Sequence, residues 1–275
     1  MERILVHCRL RPQNAKEKRE DGRECTSVTG NIVKLGESKS GAYGSASCDE
    51  FAFDAVHGFE ASQREVYESV AQPLVQEVFA GFNVTIFAYG QTGSGKTFSL
   101  MGPEGGRGSL EDEQRGIVPR VVQEVYAEAA AQLAQGVSAT ITLCVLELYL
   151  DQLRDLLLDE EDDCAGALAL HEDADGAVYV AGQKELRPPT ADAALELLAK
   201  AQRQRATSAT KMNADSSRSH LVTTLKVETG DAATGAVTPR FFNSMMMMMM
   251  MMMMMTSETQ FSPILSQKES LKATR

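Results

Sequence analysis

Apolar positions alternate with polar stretches along this chain in a way that separates strands from helices. Ile4 to Leu10 reads as a first strand, ended by Arg11-Pro12. A polar segment rich in Lys, Glu, Gly and Ser follows, read as loops around a weak strand at Asn31 to Leu35, and Phe51-Ala-Phe-Asp54 suggests another short strand. Ser62 with Glu65 makes a capping box for a helix through Val66, Val70, Leu74 and Val78, and Pro73 inside that pattern predicts a kink or break. Val84-Thr-Ile-Phe-Ala-Tyr89 is a buried-strand signal. Val121 to Leu133 has helical spacing, Ala139 to Leu150 reads as a central strand, and Leu153 to Leu158 as a short turn of helix. The acidic run Asp159 to Asp163 reads as a solvated loop, Asp192 to Arg205 as an amphipathic helix, and Leu221 to Val227 as a further strand. Strands and helices alternating in this order predict an α/β fold with a three-layer sheet.

The last segment breaks the pattern. Met245 to Met255 is an unbroken run of eleven methionines, followed by a Ser/Thr/Gln/Lys-rich tail without periodicity. A soft hydrophobic binding helix or a metal-binding tract are functional readings of such a run. The reading adopted is a low-complexity insertion or mis-assembled reading frame, because in a homopolymer every register is equivalent. We therefore expect residues 241–275 to be unstructured and to stay out of the central sheet.

Composition changes this picture little. The 275 residues suit one large domain or two smaller ones, and 43% hydrophobic residues is ordinary for a globular chain. The patch Ile4-Leu5-Val6 is too short for a signal peptide and runs into Arg9 and Arg11; no stretch approaches the roughly 20 apolar residues of a membrane span. These features predict a cytosolic protein without a membrane partner. A net charge of −11, with Lys and Arg scattered among more numerous acids, argues against nucleic acid. The five cysteines are odd in number, widely spaced and without a C-x-x-C pair, so reduced, mostly buried thiols are expected rather than a metal site.

Charge and cysteines leave one strong chemical signal. Gly90-Gln91-Thr92-Gly93-Ser94-Gly95-Lys96-Thr97 is the phosphate-binding pattern G-x-x-x-x-G-K-S/T, placed after an apolar strand and before a helix. The glycines let successive N–H groups curl inward around an anion, Lys96 is suited to β- and γ-phosphates, and the Thr97 hydroxyl to Mg²⁺. The competing reading is a glycine-rich turn that happens to end in Lys-Thr. Further on, Ser216, Ser217 and Arg218 offer two short hydroxyls and a swinging cation, the groups that a γ-phosphate sensor needs. Without the phosphate loop they would read as an ordinary Ser-rich loop.

Four runs together resemble one family. Ile4-Leu-Val-His-Cys-Arg-Leu-Arg-Pro12 resembles the opening strand of kinesin motor domains, and Val84 to Met101 is similar to their phosphate-loop region nearly throughout. Glu147-Leu-Tyr-Leu-Asp-Gln-Leu-Arg-Asp-Leu-Leu157 resembles their strand-helix junction, and Asn213-Ala-Asp-Ser-Ser-Arg-Ser-His220 their first nucleotide switch, N-x-x-S-S-R-S-H. The resemblance covers roughly residues 3 to 240. Val145 to Tyr149 and Ser217 to Leu221 are further similar to minus-end-directed motors with a C-terminal motor domain.

This resemblance implies a P-loop NTPase fold of three α/β/α layers, ATP and Mg²⁺ as ligands, microtubules as partner, and a cytoplasmic, cytoskeletal location. It implies that Ser217 joins Thr97 in the Mg²⁺ shell, that Ser216 meets the γ-phosphate or attacking water, and that Arg218 pairs with a glutamate of a second switch. Asn213 enters the nucleotide-binding set with the same run, and Arg9 and Pro12 match positions that flank the adenine. Phe98 reads equally as a ring over the base or as core packing. His220 reads as hydrogen-bonding support for the switch rather than as a base, since phosphoryl transfer rests on positioning and electrostatics.

The sequence also departs from the family. Phe241-Phe-Asn-Ser244 and the methionine run stand where the family continues into a strand ending in D-x-A-G-x-E, a motif found nowhere in this chain. That second switch, the principal microtubule-binding helix and the later strands are not recognisable, so the fold is expected to be incomplete on its C-terminal side. An apolar edge beside the phosphate-loop strand would then lie open and promote aggregation. The expectation is a partial motor domain over 1–240, in a truncated gene model or a spliced fragment. It binds ATP and belongs to a microtubule-stimulated ATPase when intact. The alternative is a non-motile nucleotide-binding or regulatory fragment. Direction of movement, cargo and oligomeric state depend on neck, stalk and tail, which the reading does not find here.

Overall fold

The computed structural model describes residues 4–20, 25–36, 49–103, 113–150, 152–158, 168–174, 176, 178–211, 219–233 and 243–249. Strand β1 (His7–Arg9) is shorter than the expected Ile4 to Leu10 and is followed by α1 (Ala15–Arg19), whose Asn14 cap accepts from the Lys16 and Glu17 amides. Strands β2 (Thr26–Thr29), β3 (Ile32–Leu35) and β4 (Asp49–Ala52) form an antiparallel meander. Only β3 and β4 carried a sequence signal, because β2 is polar and mostly exposed. Strand β5 (Ala55–His57) pairs in parallel with β1.

The Ser62–Glu65 capping box is present and opens α2 (Gln63–Val70). The chain breaks at Ala71 and resumes as α3 (Gln72–Phe79), with Pro73 in its first turn, where the missing N–H costs nothing. Strand β6 (Val84–Ala88) leads through the glycine loop into α4 (Lys96–Met101), and α5 (Ile117–Leu133) follows. Strand β7 (Val137–Tyr149) then turns at Leu150, which sits at φ 47°, into β8 (Gln152–Asp155). Leu153, Leu156 and Leu157 have helical spacing, yet Gln152 to Asp155 is a strand paired with Leu146 to Tyr149. The free ladder edge of β7 outweighs local propensity, and the Leu156 amide continues the pairing by donating to the Val145 carbonyl at 2.9 Å. A small hairpin, β9 (Ala169–Glu172) with β10 (Val178–Ala181), was not expected; its strands are short and largely exposed. The long helix α6 (Ala191–Lys211), the strand β11 (Ser219–Asp231) and the strand β12 (Asn243–Met249) complete the order.

Five strands form the main sheet in the order β6-β12-β11-β7-β8. Strand β12 overturns the expectation that the methionine run stays outside this sheet. Met245 to Met249 pair in parallel with Val84 to Ala88, and Asn243 to Met249 pair antiparallel with Val227 to Leu221. The expected boundary after residue 240 therefore cuts through the sheet, and the edge predicted to lie open beside β6 is filled. Backbone pairing explains the outcome. Two flanking strands present unpaired N–H and C=O groups, and any residue but proline satisfies them regardless of side chain. The remaining tail, 250–275, lies outside the described residues.

One face of the sheet carries the core. Leu143 and Val145 of β7 and Leu221, Leu225 and Val227 of β11 meet Val75 and Val78 of α3, Val121, Val122 and Val125 of α5, and Ala194 and Leu198 of α6. Each fully buried Val or Leu contributes about 1.5–3 kcal/mol relative to exposure. This packing fixes where the ends of β6, β7 and β11 lie. Among the described residues Cys144 is buried and Cys25 exposed, with Cys8 between, so the thiols are not uniformly buried. Burial pushes the Cys144 thiol up to about 11, which keeps it protonated and unreactive.

Candidate functional site

Strand register brings two distant parts of the chain to one end of the sheet. Ala88, at the C-terminal end of β6, lies level with Met249, and Met249 lies level with Leu221 near the start of β11. Leu221 in turn pairs with Glu147. The glycine loop after β6 and the first residues of β11 thus share the carboxyl edge of β6, where ligands bind in open α/β sheets.

The loop turns sharply within Gly90 to Gly95. Gly90, Gly93 and Gly95 have φ of 153°, 80° and 97°, values that side-chain-bearing residues rarely adopt. The Ser94 amide donates to the Gln91 carbonyl at 3.1 Å, and the Ser99 amide to the Gly95 carbonyl at 2.8 Å as α4 begins. Lys96 is only 8% exposed. Its ammonium donates to the carbonyls of Gly90 at 2.7 Å and Gln91 at 2.6 Å, which folds the side chain back across the loop. Burial alone lowers its pKa, with no carboxylate opposing the shift. A buried cation whose partners among the described residues are neutral carbonyls carries a desolvation cost that an incoming anion would relieve. Phosphate therefore fits this cradle. Gln91, Thr92, Gly93, Thr97 and Phe98 are exposed at its rim, and Ser94 is half-buried.

A second network surrounds the loop. The Arg9 guanidinium donates to Gln63 Oε1 at 2.7 Å and to Ser99 Oγ at 2.9 Å, and lies 5.4 Å from the centre of the Phe98 ring. Gln63 Nε2 donates to the carbonyls of Phe98 at 2.7 Å and Gln114 at 3.0 Å. Phe98 is 39% exposed and is not among the residues of the hydrophobic core. Pro12 is exposed, and its carbonyl accepts from Arg11 Nη1 at 2.9 Å. Arg11 also grips Glu17 with both terminal nitrogens, at 2.5 and 3.0 Å, and its stem runs beside Gly95.

Sequence reasoning missed Gln63 and Arg11. The Gln63 partners are 35 and 51 residues away, which no local pattern reveals, whereas Arg11 was visible in the C-R-x-R-P ending. Of the other expected site residues, Asn213, Ser216, Ser217 and Arg218 lie outside the described residues. The run resumes at Ser219 and His220, the first residues of β11.

Comparison with known proteins agrees with this geometry. The family model "Kinesin motor domain" matches residues 9–255. Kinesin heavy chain from Syncephalastrum racemosum is 36% identical over 238 residues, covering 84% of this chain and 24% of that protein. Kinesin-related protein 3 from Dictyostelium discoideum is 33% identical over 237 residues, covering 86% of this chain and 19% of that protein. A solved structure described as a fast kinesin superposes with a TM-score of 0.77 at 28% identity, over 94% of this chain and 67% of the other. The chain spans about a quarter of the length of the kinesin heavy chains it matches. A family match across nine-tenths of the residues, on a sheet that presents the glycine loop and the start of β11 at one edge, places this chain in the kinesin motor-domain family.

Proposed function

We propose that this chain is the ATP-binding part of a microtubule motor and that Gly90 to Thr97 hold the triphosphate with Mg²⁺. One observation carries the reading: Lys96 is buried at the mouth of a left-handed glycine turn, where among the described residues its ammonium is met by two carbonyls. In this reading Lys96 neutralises the β- and γ-phosphates, while the amides of Gly93 to Thr97 orient them. Thr97 and Ser217 hold Mg²⁺, which supplies charge neutralisation when bound. Ser216 and Arg218 report the γ-phosphate, and Arg9, Pro12 and Phe98 border the base, with Arg9 stacked on Phe98 to fix its ring. The intact protein would act on microtubules in the cytoplasm.

A second reading, a nucleotide-binding unit that occupies its partner without hydrolysis, is favoured by one specific feature. The chain has no D-x-A-G-x-E, so Arg218 has no glutamate from that motif to pair with. Titration with a fluorescent ATP analogue in the presence of Mg²⁺ tests the common core of both readings. Lys96→Ala should abolish binding while the fold, followed by circular dichroism, persists. Equal affinities of wild type and variant would remove the assignment.

A further inference from the structure

The capping box that opens α2 leaves Gln63 as the first residue of that helix, and Gln63 is 4% exposed. A buried amide side chain has a carbonyl oxygen and two N–H groups to satisfy. Here they reach three different segments. Oε1 accepts from Arg9 Nη1 at 2.7 Å, while Nε2 donates to the Phe98 carbonyl at 2.7 Å and to the Gln114 carbonyl at 3.0 Å. Reversing the amide would set its NH2 against the guanidinium, so the partners fix its orientation. One side chain therefore joins the end of β1, the helix after the glycine loop and the residues leading into α5.

The contact with Arg9 matters because that guanidinium is a half-buried cation. Among the described residues its hydrogen-bond partners are neutral: Gln63 Oε1, Ser99 Oγ at 2.9 Å and the Ala61 carbonyl at 3.5 Å, with the centre of the Phe98 ring 5.4 Å away. Burial lowers its pKa. A charge in that setting keeps its place only while its acceptors keep theirs. Phe98 rests on the same amide, since its carbonyl accepts from Gln63 Nε2 as well as from the Gly102 amide at 2.9 Å. The Gln114 end is fixed from the other side. The chain at Gly116 runs so close to α4 that a Cβ there would stand 2.4 Å from the Leu100 carbonyl oxygen. Gln63 thus spans Arg9 and Phe98 and ties both to a segment packed backbone to backbone on α4.

We propose that Gln63 is a positioning residue that holds the Arg9 guanidinium and the Phe98 ring together as the platform for the nucleobase, so that the affinity contributed by the base depends on it and that contributed by the phosphates does not. The proposal rests on the reading of Arg9 and Phe98 as the border of the base. The phosphates are served by the glycine turn and Lys96, whose ammonium is held by Gly90 and Gln91 rather than by Gln63. The start of α4 keeps its own backbone bond, from the Ser99 amide to the Gly95 carbonyl at 2.8 Å, when Gln63 is changed. Loss of the Gln63 amide therefore loosens the base before it loosens the phosphates.

Calorimetric titration of the full chain with Mg-ATP and with Mg-tripolyphosphate, which carries three phosphates and no base, separates the two contributions. Gln63→Met nearly keeps the volume and removes the hydrogen bonds. It should weaken ATP binding at least about fivefold, while tripolyphosphate affinity stays within about twofold of wild type. In an Arg9→Met background the same change should lower ATP affinity by less than about twofold, because the pair that Gln63 holds is already broken. If Gln63→Met does not fold, Gln63→Asn, too short to span all three partners, is measured against the same expectations. Equal losses for both ligands mark a merely structural role and overturn the proposal, as does an unchanged ATP affinity. Wild type that binds both ligands equally also overturns it, because the base then contributes nothing, and leaves the phosphate-loop reading standing. Wild type that binds neither refutes the nucleotide reading itself and this proposal with it.

Discussion

Single residues near the loop are held by charge and burial rather than by motif. Arg9 is fastened to Gln63, Ser99 and Phe98, and just before it His7 stacks on His57. The two rings are 5.6 Å apart between centres, and His7 Nδ1 lies 3.3 Å from His57 Nε2, so one ring donates and the other must accept. Burial holds His7 below its ordinary 6.5, with Asp54 opposing. His57 is lowered by burial first, then by His7 and Arg9, with Glu65 opposing. A histidine whose folded pKa is depressed binds fewer protons folded than unfolded, so it stabilises fully above 6.5 and loses that contribution as pH falls through the lowered value. Glu17 and Glu65, lowered by hydrogen bonds from Arg11 and from the Ser62 backbone respectively, contribute fully above 4.5 and lose that contribution only as pH falls below it. We predict that the thermal midpoint falls as pH drops below 6.5 and that a His7→Gln, His57→Gln double variant flattens this part of the profile. An unchanged slope would show that the pair does not titrate with folding.

Elements differ in how far their own residues specify them. The break between α2 and α3 was legible because Ser62, Glu65 and Pro73 act within a few residues of themselves. Strand β8 was not, because its leucines fit helical spacing and only the edge of β7 decides otherwise. Strand β12 is the extreme case: between Met245 and Met249 the residues are identical, and its register comes from its neighbours. We predict that the amides of Met245 to Met249 exchange with deuterium as slowly as those of Val84 to Ala88. Fast exchange would mean that the pairing does not hold in solution. Met247 stands between Ile86 and Thr223, so Met247→Pro removes a ladder donor there and should cost about 1–3 kcal/mol in urea unfolding.

At the scale of the whole molecule, the sheet gathers the glycine loop and the start of β11 at one edge, while the sequence contains no D-x-A-G-x-E to complete a second switch. Phosphoryl transfer depends on simultaneous positioning and charge stabilisation, so one missing part lowers the rate without removing binding. We predict that the chain binds ATP but hydrolyses it negligibly, and that microtubules do not accelerate hydrolysis. Steady-state ATPase measured with and without polymerised tubulin checks this; clear stimulation would show that the missing motif is dispensable.

The phosphate loop, the capping box and the kinesin-like runs were legible in the sequence because each is local: a turn needing glycine, a hydroxyl three residues from an amide, a cation at a fixed step from a helix start. Whatever depends on partners far along the chain was decided only by tertiary structure. Gln63 finds Gln114, Glu147 finds Arg205, and the methionines find β6 and β11, through burial and backbone pairing rather than side-chain pattern. A backbone donor is satisfied by any strand that reaches it, so a uniform run that specifies nothing by itself becomes a strand once two ordered edges flank it.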